Sequence, residues 1–351
     1  MSNKRYHSKE LFEFCLKIFI HIGFNEEDAN VAAESLVRAE LEGASSHGIN
    51  RLVIYVKRIR ESRIEAKPNI EFEEYGSILK VNGGNGLGQV VSHHALDKAI
   101  PLARKNGIAG VFVRNSNHFG TAAYFCQNAC EKGMAMIATT NSPPGIAPSG
   151  GREPFLGTNP VAFGFPTKQA PPVIVDMSSS VVARGKIMVA KQKGESIPPI
   201  WAIDEEGKET TDPVSALRGA LLPLGGPKGY ALAMAVEIMS SVLSGAAFGP
   251  HVNNLYKDND PPADVGHCFI LLDIEKWTSM ESYYSKMNKF LEEIRNVPLA
   301  EGSEDILYPG ERRYRTYVEN KKQGIALSEE VVKELEQLGK FCGISFPVKM
   351  I

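Results

Sequence analysis

The sequence predicts a mixed α/β fold, with helices at both ends framing a central sheet. Three observations carry this. Apolar residues recur at helical spacing near both termini. Between them, short β-branched and aromatic runs alternate with helical patterns, bounded by glycine and asparagine. No internal repeat or low-complexity linker interrupts the chain, and 351 residues that are 43% hydrophobic can bury a sizeable core.

The elements follow in order. Ser8 precedes KELFEFCLKIFIHIGF, in which Leu11, Phe12, Cys15, Ile18 and Phe19 share one helical face. In NEEDANVAAESLVRAELEG, Asn25 is an N-cap, Asp28 lies in the first turn and Gly43 is a stop. A third helix is expected from about Ser46 to about Ser62. SILKVNGG, AGVFVRN, MAMIATTN, PVAFGFPT, PPVIVDM and GHCFILLDI read as strands. VVSHHALDKAIPLARKNG, TAAYFCQNACEKG, SSSVVARGKIMVAKQKG and SMESYYSKMNKFLEEIRN read as helices, as does the C-terminal SEEVVKELEQLGKFCG. ESIPPIWAIDEEGKETTDP and EDILYPGERR read as loops. PKGYALAMAVEIMSSVLSG is a core helix, because Glu237, paired serines and flanking glycines argue against a membrane span. The expected organisation is an N-terminal helical segment, 1–70, packing with helices of 275–351 around a central α/β region, 71–274.

Composition excludes several classes. A net charge of -2 leaves no basic field for nucleic acid. MSNKRYHSKELFEFC has no continuous apolar core and no small-residue cleavage site, so a cytoplasmic protein away from membranes is expected. The five cysteines are odd in number and scattered; Cys126 and Cys130 have helical spacing, and all five read as reduced packing residues. His93 and His94 lie on different helix faces, so no metal site is expected. No G-x-S-x-G elbow is present.

KVNGGNGLGQVV, from Lys80, has the look of a dinucleotide-binding loop and fails its tests. Gly84, Gly86 and Gly88 form G-x-G-x-G, one residue short, and no acid lies about twenty residues on for a ribose hydroxyl. The Walker pattern fails as well. The loop reads as a tight turn feeding a helix, and any nucleotide must bind elsewhere.

Five other segments can carry chemistry. In ASSHGINRLVIYVKR, Ser46 would cap a helix, with His47 in its first turn and Arg51 and Tyr55 following on the same face. Arginine grips a carboxylate through two parallel bonds, and a neighbouring histidine moves a proton. The first-turn position is expected to lower the pKa of His47. His118 follows a strand in a polar turn. Asp176 ends a strand before Ser178, Ser179 and Ser180, which could present N–H groups to a phosphate. Lys228 beside Pro227 is a point charge suited to pyrophosphate, and Glu311 in YPGERR is available for a ribose hydroxyl.

Taken together, SSHGINR, NSNHFGTAAYF, GGREPFLGTNPVAFGFP, IVDMSSSVVARGKI, IPPIWAIDEEGKETTDP, GGPKGYALAM, GHCFILLDI and YPGER make nearly the whole chain resemble the malate/L-lactate dehydrogenase family. That family is unrelated to the Rossmann-fold lactate and malate dehydrogenases. The resemblance implies a non-Rossmann, largely antiparallel nucleotide-binding sheet with a layer of terminal helices. It implies hydride transfer with a nicotinamide cofactor, NAD with NADP possible, on a small 2-hydroxy or 2-keto acid. It also implies a homodimer with active sites near the subunit interface.

By the same resemblance, His47 or His118 is the acid/base and Arg51 holds the substrate carboxylate. Cofactor contacts fall on Ser142, Asp176, Met177, Ser178, Lys228, Gly229, Pro309, Gly310 and Glu311, while Ser46, Thr158 and Asn159 line the substrate side. Many relatives read DMATS where this chain has DMSSS, which adds the Ser178 hydroxyl near the cofactor. Malate is the expected substrate, with ureidoglycolate, lactate or sulfolactate as alternatives. An imine reductase and a nucleotide-binding protein without turnover are the rival classes.

Overall fold

The computed structural model describes residues 4–350 other than 170 and 259. A short strand, β1 (Lys4–Tyr6), leads into α1 (Ser8–His21) and α2 (Glu26–Leu41). Asn25 caps α2 as expected, its Oδ1 accepting from the Asp28 N–H at 2.8 Å. The expected third helix is broken. Ser45–His47 form one 3-10 turn, and α3 covers only Arg51–Arg60. The break falls at Gly48, where a Cβ would collide with the carboxyl of Glu40 from α2. Buried Glu40 accepts from the Ile49 N–H at 3.0 Å, tying the turn that bears His47 to the helix beneath it.

The central region follows. β2 (Glu71–Tyr75) and β3 (Ile78–Asn82) form a hairpin, and α4 (Gly88–Asn106) crosses over to β4 (Ile108–Ser116). Then come α5 (Ala122–Glu131), β5 (Met134–Thr140), β6 (Val161–Phe165) and β7 (Val173–Met177). An excursion holds α6 (Arg184–Lys193), β8 (Ala202–Ile203), α7 (Pro213–Arg218), β9 (Ala220–Leu221) and α8 (Pro227–Glu237), which runs on into a π turn ending at Val242. β10 (Val265–Asp273), α9 (Met280–Arg295), α10 (Glu311–Gln323), β11 (Ile325–Leu327) and α11 (Glu329–Cys342) complete the chain.

The main sheet runs β2-β3-β4-β10-β5-β6-β7. Only β3 and β4 pair in parallel; every other neighbouring pair is antiparallel. This is the non-Rossmann, largely antiparallel arrangement expected. β10 enters late and takes the centre, with His267 opposite Val113 of β4 and Thr140 of β5. α4 and α5 cover the sheet with Val91, Ala95 and Phe125 against Val111 and Phe269. β2 and α10 carry no sequence signal of this kind. EFEEY is a charged, mostly exposed edge, and among the residues of α10 only Glu311 is buried.

A second core joins the two ends of the chain. β1 pairs antiparallel with β11, and Leu11, Leu36, Leu52 and Tyr55 pack with Val332 and Leu335 of α11. α3, and with it Arg51, is therefore mounted on the helical layer.

The glycine loop explains how His118 is held. Gly83 and Asn85 donate their N–H groups to the carbonyls of Arg114 and Asn115, each at 2.9 Å. Asn117 returns its side-chain amide to Asn85 Oδ1 at 3.0 Å and to the Gly86 carbonyl at 2.9 Å. A Cβ at Gly88 would strike the Asn117 and His118 carbonyls. These glycines allow backbone to approach backbone beneath the His118 turn.

Two outcomes test this packing. Leu335 is fully buried, so Leu335→Ala should cost about 2–5 kcal/mol in urea denaturation. Burial raises Glu40 from its ordinary 4.5 to about 7. Between those values the unfolded chain releases a proton that the folded chain keeps, so this carboxyl withdraws stability as pH rises. Glu40→Gln keeps the acceptor for Ile49 without the charge. Its urea midpoint should gain on the wild type from pH 4.5 to 7 and hold a constant lead above that; parallel curves would refute the assignment.

Candidate active site

A cavity of about 220 Å³ opens where the helical layer meets the sheet, and His47, Arg51, His118, Ser142, Thr158 and Tyr256 line it. The two imidazole rings lie 5.4 Å apart and nearly parallel, at 22°. His47 Nδ1 is 2.8 Å from the Ser46 hydroxyl. His118 Nδ1 is 2.6 Å from the hydroxyl of Tyr55, one turn along α3 from Arg51. Arg51 donates its Nε–H to the Ser46 carbonyl at 2.6 Å and lies 5.1 Å over the Tyr256 ring. Its two terminal nitrogens make no hydrogen bond among the described residues and remain free for a carboxylate. Ser46 thus acts through its neighbours, steadying both His47 and Arg51.

Both histidines are neutral at neutral pH. Burial, then the Arg51 and Arg313 guanidinium groups, push His47 down to about 4. The expected helix-terminus cause does not apply, because the 3-10 turn places His47 outside α3. Burial, then His47, Arg51 and His267, hold His118 well below its ordinary value. His267 was legible only as a residue in an apolar strand. Fully buried, it bridges Thr140 Oγ1 at 2.8 Å and Ser116 Oγ at 2.9 Å, and stacks at 4.6 Å on Phe119, next to His118. It supports the turn and stays out of the cavity.

The other expected residues fall in two neighbouring groups. Asp176 and Met177 end the edge strand β7, and Ser178 follows it. The Pro309 carbonyl accepts from the Ile174 N–H of the same strand at 3.0 Å. Gly310, at φ +99°, has backbone atoms of Ile174 and Pro172 where a Cβ would stand. Glu311 then opens α10. Its Oε1 accepts from Arg295 at 3.1 Å and Arg315 at 3.2 Å, whereas its buried Oε2 has no partner among the described residues. The second group surrounds Thr158. The Thr158 N–H donates to Ser142 Oγ at 3.1 Å, and the Thr158 carbonyl accepts from the Ser179 N–H at 2.9 Å. Leu224 bonds back to Ser179 at 2.8 Å, bringing exposed Lys228 and buried Gly229 in the first turn of α8 to this corner. A carboxylate oxygen awaiting a donor and an exposed lysine fit a dinucleotide.

Three expected contacts are already engaged within the protein. Asp176 accepts from Arg313 at 2.9 Å and from the Ala123 N–H at 3.3 Å. Burial raises its pKa, with the guanidinium opposing. The Ser178 hydroxyl turns to Ser180 at 3.0 Å. Asn159 does not line the cavity, although Thr158 and Pro160 do. With φ at +31°, it turns inward and bonds the buried Glu237 carboxylate and the Ala233 carbonyl. A buried carboxylate needs such a donor, and the sequence separation of Asn159 and Glu237 hides the need.

Known proteins share this architecture. The malate dehydrogenase of Pyrococcus abyssi is 40% identical over 95% of this chain and 94% of its own length. The ureidoglycolate dehydrogenase (NAD(+)) of Escherichia coli strain K12 is 33% identical over 89% of each. The crystal structure of malate dehydrogenase from Entamoeba histolytica superposes with a TM-score of 0.94 at 31% identity, covering 99% of this chain and 100% of that one. The family profile described as malate/L-lactate dehydrogenase spans residues 6–336. With its non-Rossmann sheet and its two-histidine cavity, this chain belongs to the malate/L-lactate dehydrogenase family, the nicotinamide-dependent 2-hydroxy-acid dehydrogenases.

Proposed function

We propose that the chain is an NAD-dependent malate dehydrogenase, interconverting malate and oxaloacetate. One observation carries the chemistry: two neutral imidazoles and an arginine with free terminal nitrogens converge on one small cavity. The 40% identity to a protein named malate dehydrogenase supports the substrate. Glu311, whose buried Oε2 has no hydrogen-bond partner among the described residues, supports NAD, since a carboxylate beside the ribose would repel a 2'-phosphate.

The fork of Arg51 binds the C1 carboxylate and turns the C2 oxygen toward the imidazoles. His118 takes the hydroxyl proton on Nε2, because its Nδ1 faces Tyr55. In the reverse direction the same nitrogen returns the proton to the carbonyl oxygen. His47, stacked alongside, hydrogen-bonds that oxygen and keeps water from it. Ser142, Lys228 and Pro309–Glu311 hold the nicotinamide dinucleotide, which accepts or supplies the C2 hydride when bound.

We further propose a homodimer in the cytoplasm. Met234, Ile238 and Val242 form an exposed apolar strip at four-residue spacing along α8 and its π turn, which suits a second copy. The five cysteines are free thiols, in keeping with a reducing compartment. No helix among the described residues is long and apolar enough to cross a membrane.

The first test follows NADH and NADPH absorbance across a panel of 2-keto acids, with and without ammonia or methylamine. Oxidation of NADH by oxaloacetate alone is expected. Turnover only with amine would make the protein an imine reductase, and preference for NADPH would reverse the cofactor assignment. His118→Ala should lower turnover about 100- to 10,000-fold, with cofactor affinity nearly unchanged. Arg51→Lys should raise KM and lower turnover together, because an ammonium cannot reproduce the fork; an unchanged KM would remove the carboxylate role.

A further inference from the structure

Behind His118 lies a hydrogen-bonded chain that ends on an atom with no partner. Tyr55 and Gln89 are both fully buried. Gln89 Nε2 donates to the Tyr55 hydroxyl at 3.1 Å, and that hydroxyl is 2.6 Å from His118 Nδ1. Gln89 Oε1 is buried with no hydrogen-bond partner among the described residues. Leaving such an acceptor unpaired is costly, and no part of the mechanism above uses it.

The chain has two self-consistent proton arrangements. In the first, the Gln89 amide donates to Tyr55, so the single Tyr55 proton must point at His118 Nδ1, and neutral His118 carries its own proton on Nε2. In the second, the amide has turned by half a revolution. Tyr55 donates to Gln89 Oε1, its oxygen accepts from His118 Nδ1–H, and Nε2 presents a lone pair to the cavity. Only the second arrangement accommodates a proton taken up from substrate. When the substrate O–H bond breaks, an Nε2–H bond forms, the oxygen keeps the electron pair to become the carbonyl, and the hydride leaves C2 for the oxidised nicotinamide. His118 then bears protons on both nitrogens, which requires the Tyr55 oxygen to accept.

We propose that Gln89 is a positioning residue: its carboxamide, acting through Tyr55, selects whether His118 meets the substrate as a proton acceptor or as an N–H donor. This rests on the assignment of His118 as acid/base in 2-hydroxy-acid turnover. The glycine loop that packs beneath the His118 turn also starts α4, and so delivers Gln89 to Tyr55. Burial pushes the Tyr55 phenol up to about 12, so it passes orientation along the chain while keeping its proton. The charged and titratable groups facing His118 are His47 from the 3-10 turn, Arg51 and Tyr55 from α3, and His267 from β10.

The test is the pH profile of kcat/KM for hydroxy-acid oxidation in Gln89→Leu and Gln89→Glu. The leucine variant offers Tyr55 no acceptor and disfavours the doubly protonated imidazole. Its acid limb should move down, with kcat about ten-fold lower and KM within two-fold. The glutamate variant accepts only, and its acid limb should move up by about one pH unit. Either substitution added to Tyr55→Phe should leave the profile of that variant unmoved. Shifts in the same direction, or shifts that persist without the phenol, would overturn the proposal. The 15N signals of His118 in the wild type and Tyr55→Phe give a readout independent of turnover. A tautomer change without any hydroxy-acid activity leaves the relay standing and removes the substrate reading. Activity with unmoved profiles and an unchanged tautomer does the reverse.

Discussion

The hydroxyl of Tyr55 joins two bodies of structure, the helical layer and the sheet, at the wall of the cavity. Tyr55 belongs to the core formed by the two ends of the chain, and the Phe119 beside His118 belongs to the core of the sheet. The 2.6 Å hydrogen bond between Tyr55 and His118 sets the distance between the guanidinium of Arg51, one turn away on α3, and the imidazole that would move the proton. Neither core alone holds a complete site. Catalytic geometry of this kind tolerates errors of only about 0.5 Å, which explains why the seam is reinforced on both sides. Glu40 pins the His47 turn from below, and the glycine loop together with His267 pins the His118 turn.

Electrostatics then works through the same seam. After burial, Arg51 is one of the groups that depress both histidines and favour the unprotonated imidazoles. A carboxylate bound on the Arg51 fork offsets that cation at close range, where a partly dry cavity screens little. On the proposed mechanism, the affinity of His118 for a proton would therefore rise when substrate is in place, and the clamp that orients the substrate would also adjust the base that acts on it.

Much of this was legible in sequence because the features are local. The strands of the sheet other than β2 announce themselves as short apolar runs, and the caps at Asn25 and Ser328 are chemical signatures of a helix start. His47, Arg51 and His118 stood out as polar residues at turns and strand ends, and the eight ordered segments added the family. What remained hidden depends on partners far apart in the chain. Asn159 faces Glu237, Asp176 faces Arg313, and His267 reaches residues of two different strands. The break at Gly48 was missed because its cause, the Glu40 carboxyl, lies on another helix. α10 was missed because it buries too little to show an apolar stripe.

The loop KVNGGNGLG shows how a true physical signal can point to the wrong ligand. Glycines cluster where another group must come nearer than a Cβ allows. In a phosphate loop that group is a pyrophosphate, and the helix that follows supplies N–H groups to it. Here the space at Gly84 is taken by the Asn69 carbonyl and the space at Gly88 by those of Asn117 and His118. The loop's N–H groups at Gly83 and Asn85 are already bonded to Arg114 and Asn115. Protein atoms already fill the space at these glycines, so a phosphate seated there would displace the His118 turn. A missing acid was the symptom in the sequence; the carbonyls of the His118 turn are the reason, because the loop's close approach is used to hold a protein segment in place.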